Sequence, residues 1–282
     1  MAVIGGDKRE KVLVEKLLDK GYSISVLSDS NFNNDNVKVS VEMKKVVENA
    51  DVVLASMSST DEKGFLKSTF IDEKIKLDED FFELLSQDAL FLIGIAVPKI
   101  KSIMDDRNIQ YIELARLDNL AIMNAIPTAE GAIKIAIEET EITLYNSRII
   151  IYGLGKVGFA LAWRLKMLGA EVFAVTRDKT ATARGHDLGI KMLTYQELNK
   201  KLPDIDIIYN TVPARIIDAE AISLLKKDTI IIDLASSPGG TDFEFANEMG
   251  IKAILALGLP GKIAPITAGM LLADIIPDLI SE

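Results

Sequence analysis

The segment Ile149-Ile150-Ile151-Tyr152-Gly153-Leu154-Gly155-Lys156-Val157-Gly158 decides the fold of this chain. An apolar strand runs into three glycines spaced G-x-G-x-x-G, and Val157, Leu161, Leu165 and Leu168 then recur at helical spacing. Gly153 permits the tight turn, Gly155 lets the backbone approach a pyrophosphate, and Gly158 lets helix and strand pack closely. Free N–H groups and the positive dipole end of the helix suit phosphate. The spacing alone is a weak signal, but the strand before it and the helix after it supply the context. Gly153, Leu154, Gly155, Lys156, Val157 and Gly158 are therefore expected to line a nucleotide, the alternative being a bare packing turn.

Outward from this turn, apolar runs alternate with helical patterns twice over, which predicts two parallel sheets covered by helices. The first series has strands near Ala2–Ile4, Ser23–Leu27, Val52–Ala55, Leu90–Ile95 and Tyr111–Leu114, with helices over Glu10–Leu18 and Lys99–Asp105. The second has strands near Arg148–Tyr152, Glu171–Thr176, Lys191–Leu193, Asp206–Tyr209, Thr229–Leu234 and Ala253–Leu255. Phe70–Phe82 is charged and irregular and reads as a surface excursion. A long helix over Asn119–Glu141, with Pro127 in its first turn, is expected to join the two domains.

The fold class is thus α/β, with two Rossmann-like doubly wound parallel-sheet domains facing an interdomain cleft. The expected boundaries are 1–118 for a substrate domain, 119–146 for the connecting helix and 147–264 for the NADP-binding domain. The last helix, 265–282, presents Met270, Leu271 and Ile275 and is expected to pack back on the first domain.

Composition narrows the function. The 282 residues suggest two domains, and 49% hydrophobic content supports large cores. No run of about 18 apolar residues is present, so no membrane span is expected. The first residues enter a strand directly, with no signal-peptide pattern. The absence of cysteine excludes disulfides and thiolate chemistry and fits a reducing cytoplasm. With a single histidine, His186, no metal site is expected. A net charge of −10 argues against non-specific nucleic-acid binding.

Candidate chemistry sits where strands end. An acid after the second strand of a nucleotide domain would hold the ribose of NAD, whereas Thr176 and Arg177 stand there and suit a 2′-phosphate. NADP is the preferred cofactor, with NAD possible through Asp178. Asn210, Thr211, Val212 and Pro213 end another strand and are expected beside the nicotinamide ribose. Asp233, Leu234 and Ala235 follow the next strand, and the Gly239-Gly240 pair is expected to admit a ligand. Asp242 reads as a helix cap. Pro260 lies in a loop expected to close over the nicotinamide, with Lys262 as an optional clamp and Thr267 in the following helical turn.

In the first domain, Gly5-Gly6-Asp7-Lys8-Arg9 sets cations at a helix start. Gly6 and Arg9 are candidate carboxylate binders, with a plain charged turn as the alternative. Ser58 and Ser59 belong to a second hydroxyl-rich loop, Ser56–Thr60. Thr128 and Glu130 open the bridging helix, where Glu130 is either a general acid–base or a dipole-stabilising glutamate. His186 lies in a crossover rather than on a late loop, so a surface role is expected, which argues against ordinary 2-hydroxyacid chemistry.

Five motifs then occur in order: Gly5-Gly-Asp7-x-Arg9, Ile126-Pro127-Thr128-x-Glu130-Gly131, Gly153-Leu-Gly155-x-x-Gly158, Asp233-Leu-Ala-Ser236-x-Pro238-Gly-Gly-Thr241-Asp242-Phe243 and Gly258-Leu-Pro260-Gly261-x-x-Ala264-Pro265-x-Thr267-Ala-Gly269. Together they resemble the A subunit of dipicolinate synthase from endospore-forming bacteria, over essentially the whole chain. The resemblance implies NADP-linked oxidation of dihydrodipicolinate, or a hydrated precursor, from the lysine pathway. It also implies partnership with a flavoprotein-like B subunit, a small dicarboxylate substrate and action in the mother-cell cytoplasm during sporulation. Because the step completes an aromatic ring, no strong base is needed, and Glu130 or Asp233 is the expected proton acceptor. A homodimer is the default assembly. The rivals are another NAD(P) dehydrogenase of a small amino- or hydroxy-carboxylate, active without a partner, and a non-catalytic nucleotide-sensing module.

Overall fold

The computed structural model describes residues 1–29, 32 and 34–281. Glu282, the last residue of the expected C-terminal helix, lies outside them. The chain forms two compact units, Met1–Asn124 with Pro260–Glu282, and Ala125–Leu259.

The first unit has strands β1 (Ala2–Val3), β2 (Ile24–Leu27), β3 (Val37–Ser40), β4 (Val52–Leu54), β5 (Leu90–Ile93) and β6 (Gln110–Glu113). They form one parallel sheet in the order β3-β2-β1-β4-β5-β6. Its helices are α1 (Lys8–Asp19), α2 (Met43–Val47), α3 (Glu79–Glu83) and α4 (Pro98–Asp106). Strand order reverses between β1 and β4, the position where doubly wound sheets open a crevice beyond the strand ends. The charged segment 70–82 is not a surface excursion. Phe70, Ile75, Leu77, Phe81 and Phe82 are all buried, and Phe81 and Phe82 make edge-on contacts with Phe91. Its charges ride on the outer side of a segment whose aromatic residues face the sheet, and no regular period announces that arrangement.

The helix α5 (Asp118–Glu139) runs from one unit into the other. Leu120 packs in the first core, while Ala129, Ala132 and Ala136 pack in the second. The helix therefore belongs to both units and is not a separate 119–146 connector, and the boundary falls after Asn124. Pro127 lies in the helix interior rather than its first turn, where it removes one rung of the hydrogen-bond ladder. By length and composition α5 is apolar enough to cross a membrane, but Glu130 and Lys134 sit mid-helix and its alanine face is core.

The second unit repeats the topology. Its strands are β7 (Arg148–Tyr152), β8 (Glu171–Val175), β9 (Lys191–Met192), β10 (Ile207–Asn210), β11 (Ile230–Asp233) and β12 (Lys252–Leu255), ordered β12-β11-β10-β7-β8-β9 and all parallel. The helices are α6 (Lys156–Met167), α7 (Lys179–Asp187), α8 (Tyr195–Lys201), α9 (Ala219–Ser223) and α10 (Phe243–Glu248). Order reverses between β7 and β10.

Two last helices, α11 (Leu259–Ile263) and α12 (Pro265–Ser281), follow. Residues from Pro260 onward belong to the first unit, so the expected boundary at 264 moves back by several residues. The side of α12 that packs there carries Ala268, Gly269, Leu272, Ala273 and Ile276, while Met270 is exposed. Close helix–helix contact selects this face. A Cβ on Gly269 would stand 2.4 Å from the Arg9 carbonyl oxygen and 2.7 Å from Val12 Cβ on α1.

Candidate active site

In the second unit the glycine turn lies at the β7/β10 switch point. Gly153 has φ +85°, a conformation that disfavours side chains, and a Cβ there would meet Thr211 Oγ1 at 2.6 Å and Val212 Cγ2 at 2.7 Å. A Cβ on Gly158 would stand 2.0 Å from the Gly153 carbonyl oxygen, so helix and strand approach only because both residues are glycine. Gly155 differs, since nothing lies within 4 Å of its would-be Cβ. It caps α6 with no side-chain hydrogen bond. The start of α6 thus has open space beside Gly155 and no side-chain cap from that residue, which fits a nucleotide pyrophosphate. Leu154 is buried in the core, Val157 is half-buried and Lys156 is exposed at the first position of α6.

No acid ends β8. Thr176 Oγ1 accepts the Asp178 N–H at 3.2 Å, and the exposed Arg177 lies over the Tyr195 ring at 6.0 Å. Asp178 caps α7, its Oδ1 accepting the N–H groups of Thr180 and Ala181. That oxygen is committed to the cap and not presented to a ribose.

Asp233, a candidate proton acceptor and cofactor contact, sits inside a hydrogen-bond web. It is fully buried, and its carboxylate accepts four hydrogen bonds. These come from Ala235 N (3.0 Å), Asn210 Nδ2 (3.0 Å), Gly240 N (2.8 Å) and Thr241 Oγ1 (2.7 Å). Three donors crowd Oδ2 and one meets Oδ1, so the carboxylate is largely engaged within the fold. Asn210, the candidate ribose contact, belongs to the same web. It is fully buried, its Nδ2 donates to Val212 O and Asp233 Oδ2, and its Oδ1 accepts Val212 N. Thr211 Oγ1 donates to the carbonyls of Tyr152 and Gly153, which pins the glycine turn.

Gly239 and Gly240 pack against this web. A Cβ on Gly240 would stand 2.5 Å from Asn210 Nδ2, and one on Gly239 would stand 3.1 Å from Asp233 Oδ2. Leu234 donates its N–H to the Asn210 carbonyl, and Ala235 is buried. Val212 is half-buried beside the turn and Pro213 is exposed. Asp242 caps α10 and pairs with Arg215. Arg215 first, and the Phe245 N–H second, hold the Asp242 carboxyl below the usual aspartate range.

The first unit's equivalent turn is built differently. Gly6 has φ +150°, and a Cβ there would meet Glu10 at 2.6 Å. Asp7 caps α1 in a capping box with Glu10. Glu10, fully buried, accepts Asp7 N at 2.8 Å and Met57 N at 2.8 Å, which ties the loops after β1 and β4. Arg9 ties the same loops, donating from Nε to Asp7 Oδ1 (2.9 Å) and from Nη2 to Asp7 Oδ2 (2.7 Å) and Ser58 Oγ (2.6 Å).

Burial alone would raise the Asp7 carboxyl, but the Arg9 hydrogen bonds and charge outweigh it and hold it low. Burial dominates at Glu10 and pushes its carboxyl up despite Arg9. This helix start already carries two carboxylates of its own, whereas α6 carries none. That difference favours the second unit for the nucleotide. Sequence reasoning named Arg9 but missed Asp7 and Glu10. The capping-box pattern Asp7-x-x-Glu10 was the signal available.

The remaining candidates scatter. Ser59 has φ +62°, and its Oγ accepts Ile95 N at 2.6 Å. Glu130 is exposed in the middle of α5, 4.0 Å from Arg164 Nε, so it is not a first-turn residue. Thr128 is half-buried in the same helix. Thr267 is exposed in the first turn of α12, Lys262 is exposed on α11, and Pro260 belongs to the first unit. His186 is exposed on α7.

Comparison with known proteins adds to this geometry. Residues 1–115 match the family model for the N-terminal domain of the dipicolinate synthase A subunit. Residues 127–238 match the D-isomer specific 2-hydroxyacid dehydrogenase, NAD binding domain. Across its full length, the chain is 34% identical over 286 residues to the dipicolinate synthase A subunit of Bacillus subtilis (strain 168), covering 96% of that protein. The chain belongs to the dipicolinate synthase A-subunit family.

Two solved family members agree in fold. The dipicolinate synthase A subunit of Bacillus halodurans superposes with a TM-score of 0.92 at 34% identity, covering 99% of this chain and 97% of that one. The Bacillus subtilis dipicolinate synthase A chain superposes with 0.90 at 33% identity, covering 99% and 95%. Within this dipicolinate synthase family the dehydrogenase-type second unit makes the chain an NAD(P)-dependent oxidoreductase. Membership of an A-subunit family implies a partner subunit.

Proposed function

We propose that this chain oxidises dihydrodipicolinate, or a hydrated precursor of it, to dipicolinate with NADP during sporulation, acting with a flavoprotein-like B subunit in the mother-cell cytoplasm. The full-length match to the Bacillus subtilis protein carries this reading.

The nucleotide is held by the turn Gly153–Gly158 and the open start of α6. When bound, the nicotinamide supplies the hydride acceptor. NADP is preferred because Thr176 and Arg177 follow β8 and one oxygen of Asp178 is taken by the cap of α7. Val212, Pro213, Leu234, Ala235 and Pro260 are the proposed apolar neighbours of the cofactor.

Substrate carboxylates fall to the first unit. Arg9 uses three N–H groups internally, and its Nη1 has no partner among the described residues. Nη1 takes one carboxylate. Gly6, Ser58, Ser59 and Thr267 are the further proposed contacts in that unit, and Thr128 of α5 is proposed beside them. Ser59 Oγ accepts from Ile95, which leaves its own proton free to donate. Glu130 is the proposed proton acceptor. Ring aromatisation makes proton loss favourable, so an exposed carboxylate suffices. The assembly is proposed as a homodimer.

The test mixes the purified chain, NADP, the lysine-pathway precursor and the B subunit, and follows the ultraviolet absorbance of the pyridine product with each component omitted in turn. No product from the full mixture would sink the reading. Full activity without the B subunit would favour a self-sufficient dehydrogenase, the alternative that the 2-hydroxyacid dehydrogenase match keeps open.

A further inference from the structure

At the first unit's switch point, Arg9 is held unevenly. Arg9 is only 5% exposed, yet one edge of its guanidinium is locked and the other is idle. Asp7 grips Nε and Nη2, and Ser58 accepts the second Nη2 hydrogen. Among the described residues the buried polar side-chain atoms without a partner are Thr60 Oγ1 and Tyr152 Oη, so the unpaired Nη1 of Arg9 is not sealed inside the protein. A scaffold arginine would be expected to spend all five donors when so deeply set.

Above the pair lies α11. A Cβ on Gly261 would stand 2.6 Å from Arg9 Nε, 2.9 Å from its Cζ and 2.9 Å from Asp7 Oδ2. Only a residue without a side chain leaves the pair in place. Residues 7 and 261, at opposite ends of the chain, therefore act on one guanidinium.

We infer that Asp7 and Gly261 are positioning residues that aim the Nη1 edge of Arg9 at a ligand carboxylate. This rests on the proposed substrate class and extends it, because it says what sets the specificity. Asp7 occupies the bidentate edge, so an incoming carboxylate meets a single N–H₂ group at a fixed angle. Asp7 also cancels most of the arginine charge, so binding depends on geometry more than on long-range attraction. Ser58 completes the grip from the β4 loop, and Glu10 fixes the distance between the β1 and β4 loops through its two backbone contacts.

The probe is dipicolinate itself, titrated calorimetrically into the purified chain in the presence of NADP. Three variants are compared: Arg9→Lys, Asp7→Asn and Gly261→Ala. Asparagine keeps the helix cap and removes the charge, and alanine removes no polar group at all. We expect each to weaken dipicolinate binding by about tenfold or more, the loss of one aimed charged hydrogen bond. Affinity for NADP and far-ultraviolet circular dichroism should stay unchanged.

The decisive readout is the pairing. Asp7→Asn in an Arg9→Lys background should add little, since both act through one contact. If Arg9→Lys weakens binding while Asp7→Asn and Gly261→Ala do not, the positioning role is overturned and the clamp survives. If the double variant loses the sum of both effects, Asp7 acts independently of Arg9 and the inference is wrong. If the unmodified chain does not bind dipicolinate, the substrate reading and this inference fall together.

Discussion

Replacing Asp233 by asparagine separates two accounts of the same residue. As a proton acceptor it would lose its chemistry and keep its fold. As the centre of a buried hydrogen-bond web it should do the reverse. The carboxylate accepts three donors on Oδ2 and one on Oδ1. Asparagine retains one oxygen, which best replaces Oδ2. Its amide then faces the Ala235 N–H, leaving a buried donor unpaired at about 1–3 kcal/mol. The three bonds kept on the other oxygen fall from charge-assisted to neutral, about 1 kcal/mol each. The sum is roughly 4–6 kcal/mol, large against the ~5–15 kcal/mol typical of a folded domain. For a unit of this size each kcal/mol shifts the midpoint by about 2–4 °C, so the midpoint of the second unit should fall by roughly 8–24 °C.

The assay is thermal unfolding followed by circular dichroism, paired with turnover measured well below the transition. The variant should retain much of its kcat while folded. An unchanged melting temperature with a hundredfold loss of kcat would refute this reasoning and restore Asp233 as a proton acceptor.

Gly158→Ala should abolish nucleotide binding, because the added methyl would lie 2.0 Å from the Gly153 carbonyl oxygen and force the turn open. Fluorescence titration with NADPH checks this, and retained affinity would contradict the packing role. Arg177→Ala should raise KM for NADP by roughly 10- to 100-fold, the worth of one arginine–phosphate contact, and leave KM for NAD nearly unchanged. Equal effects on both nucleotides would remove the 2′-phosphate assignment. Asp242 has a folded pKa below its unfolded value, so its contribution to stability is complete above the ordinary aspartate range and is lost as pH falls below it. Arg215→Ala should move that titration back towards higher pH, which carboxyl-carbon NMR would register. An unmoved titration would mean the ion pair does not cause the shift.

What could be read in advance follows the reach of each interaction. The turn at Gly153–Gly158 is local, since strand, turn and helix start lie within ten residues, and each glycine's role follows from its neighbours in the chain. Asp242 was legible as a helix cap for the same reason, whereas the capping role of Asp178 was not read. The segment 70–82 was misread because its buried aromatics follow no helical or strand period and take their direction from Phe91 on a distant strand. Pro127 suggested a helix start, yet packing of Leu120 into one core and Ala129 into the other extends the helix across it.

The sequence by itself determined two doubly wound sheets, the nucleotide turn, the missing acid after β8 and the family. All of these rest on short-range pattern or on motif order. Tertiary structure alone decided what the charged side chains do. Four donors drawn from residues 210, 235, 240 and 241 converge on Asp233 and make it the centre of a buried hydrogen-bond web. Asp7, Ser58 and Gly261 converge on Arg9 and enclose a cation that the sequence offered as a carboxylate binder or part of a charged turn. A carboxylate or a guanidinium has the same chemistry wherever it lies in a sequence. Its role is set by how many of its hydrogen-bonding positions the fold has already filled, and only the folded chain brings those partners within reach.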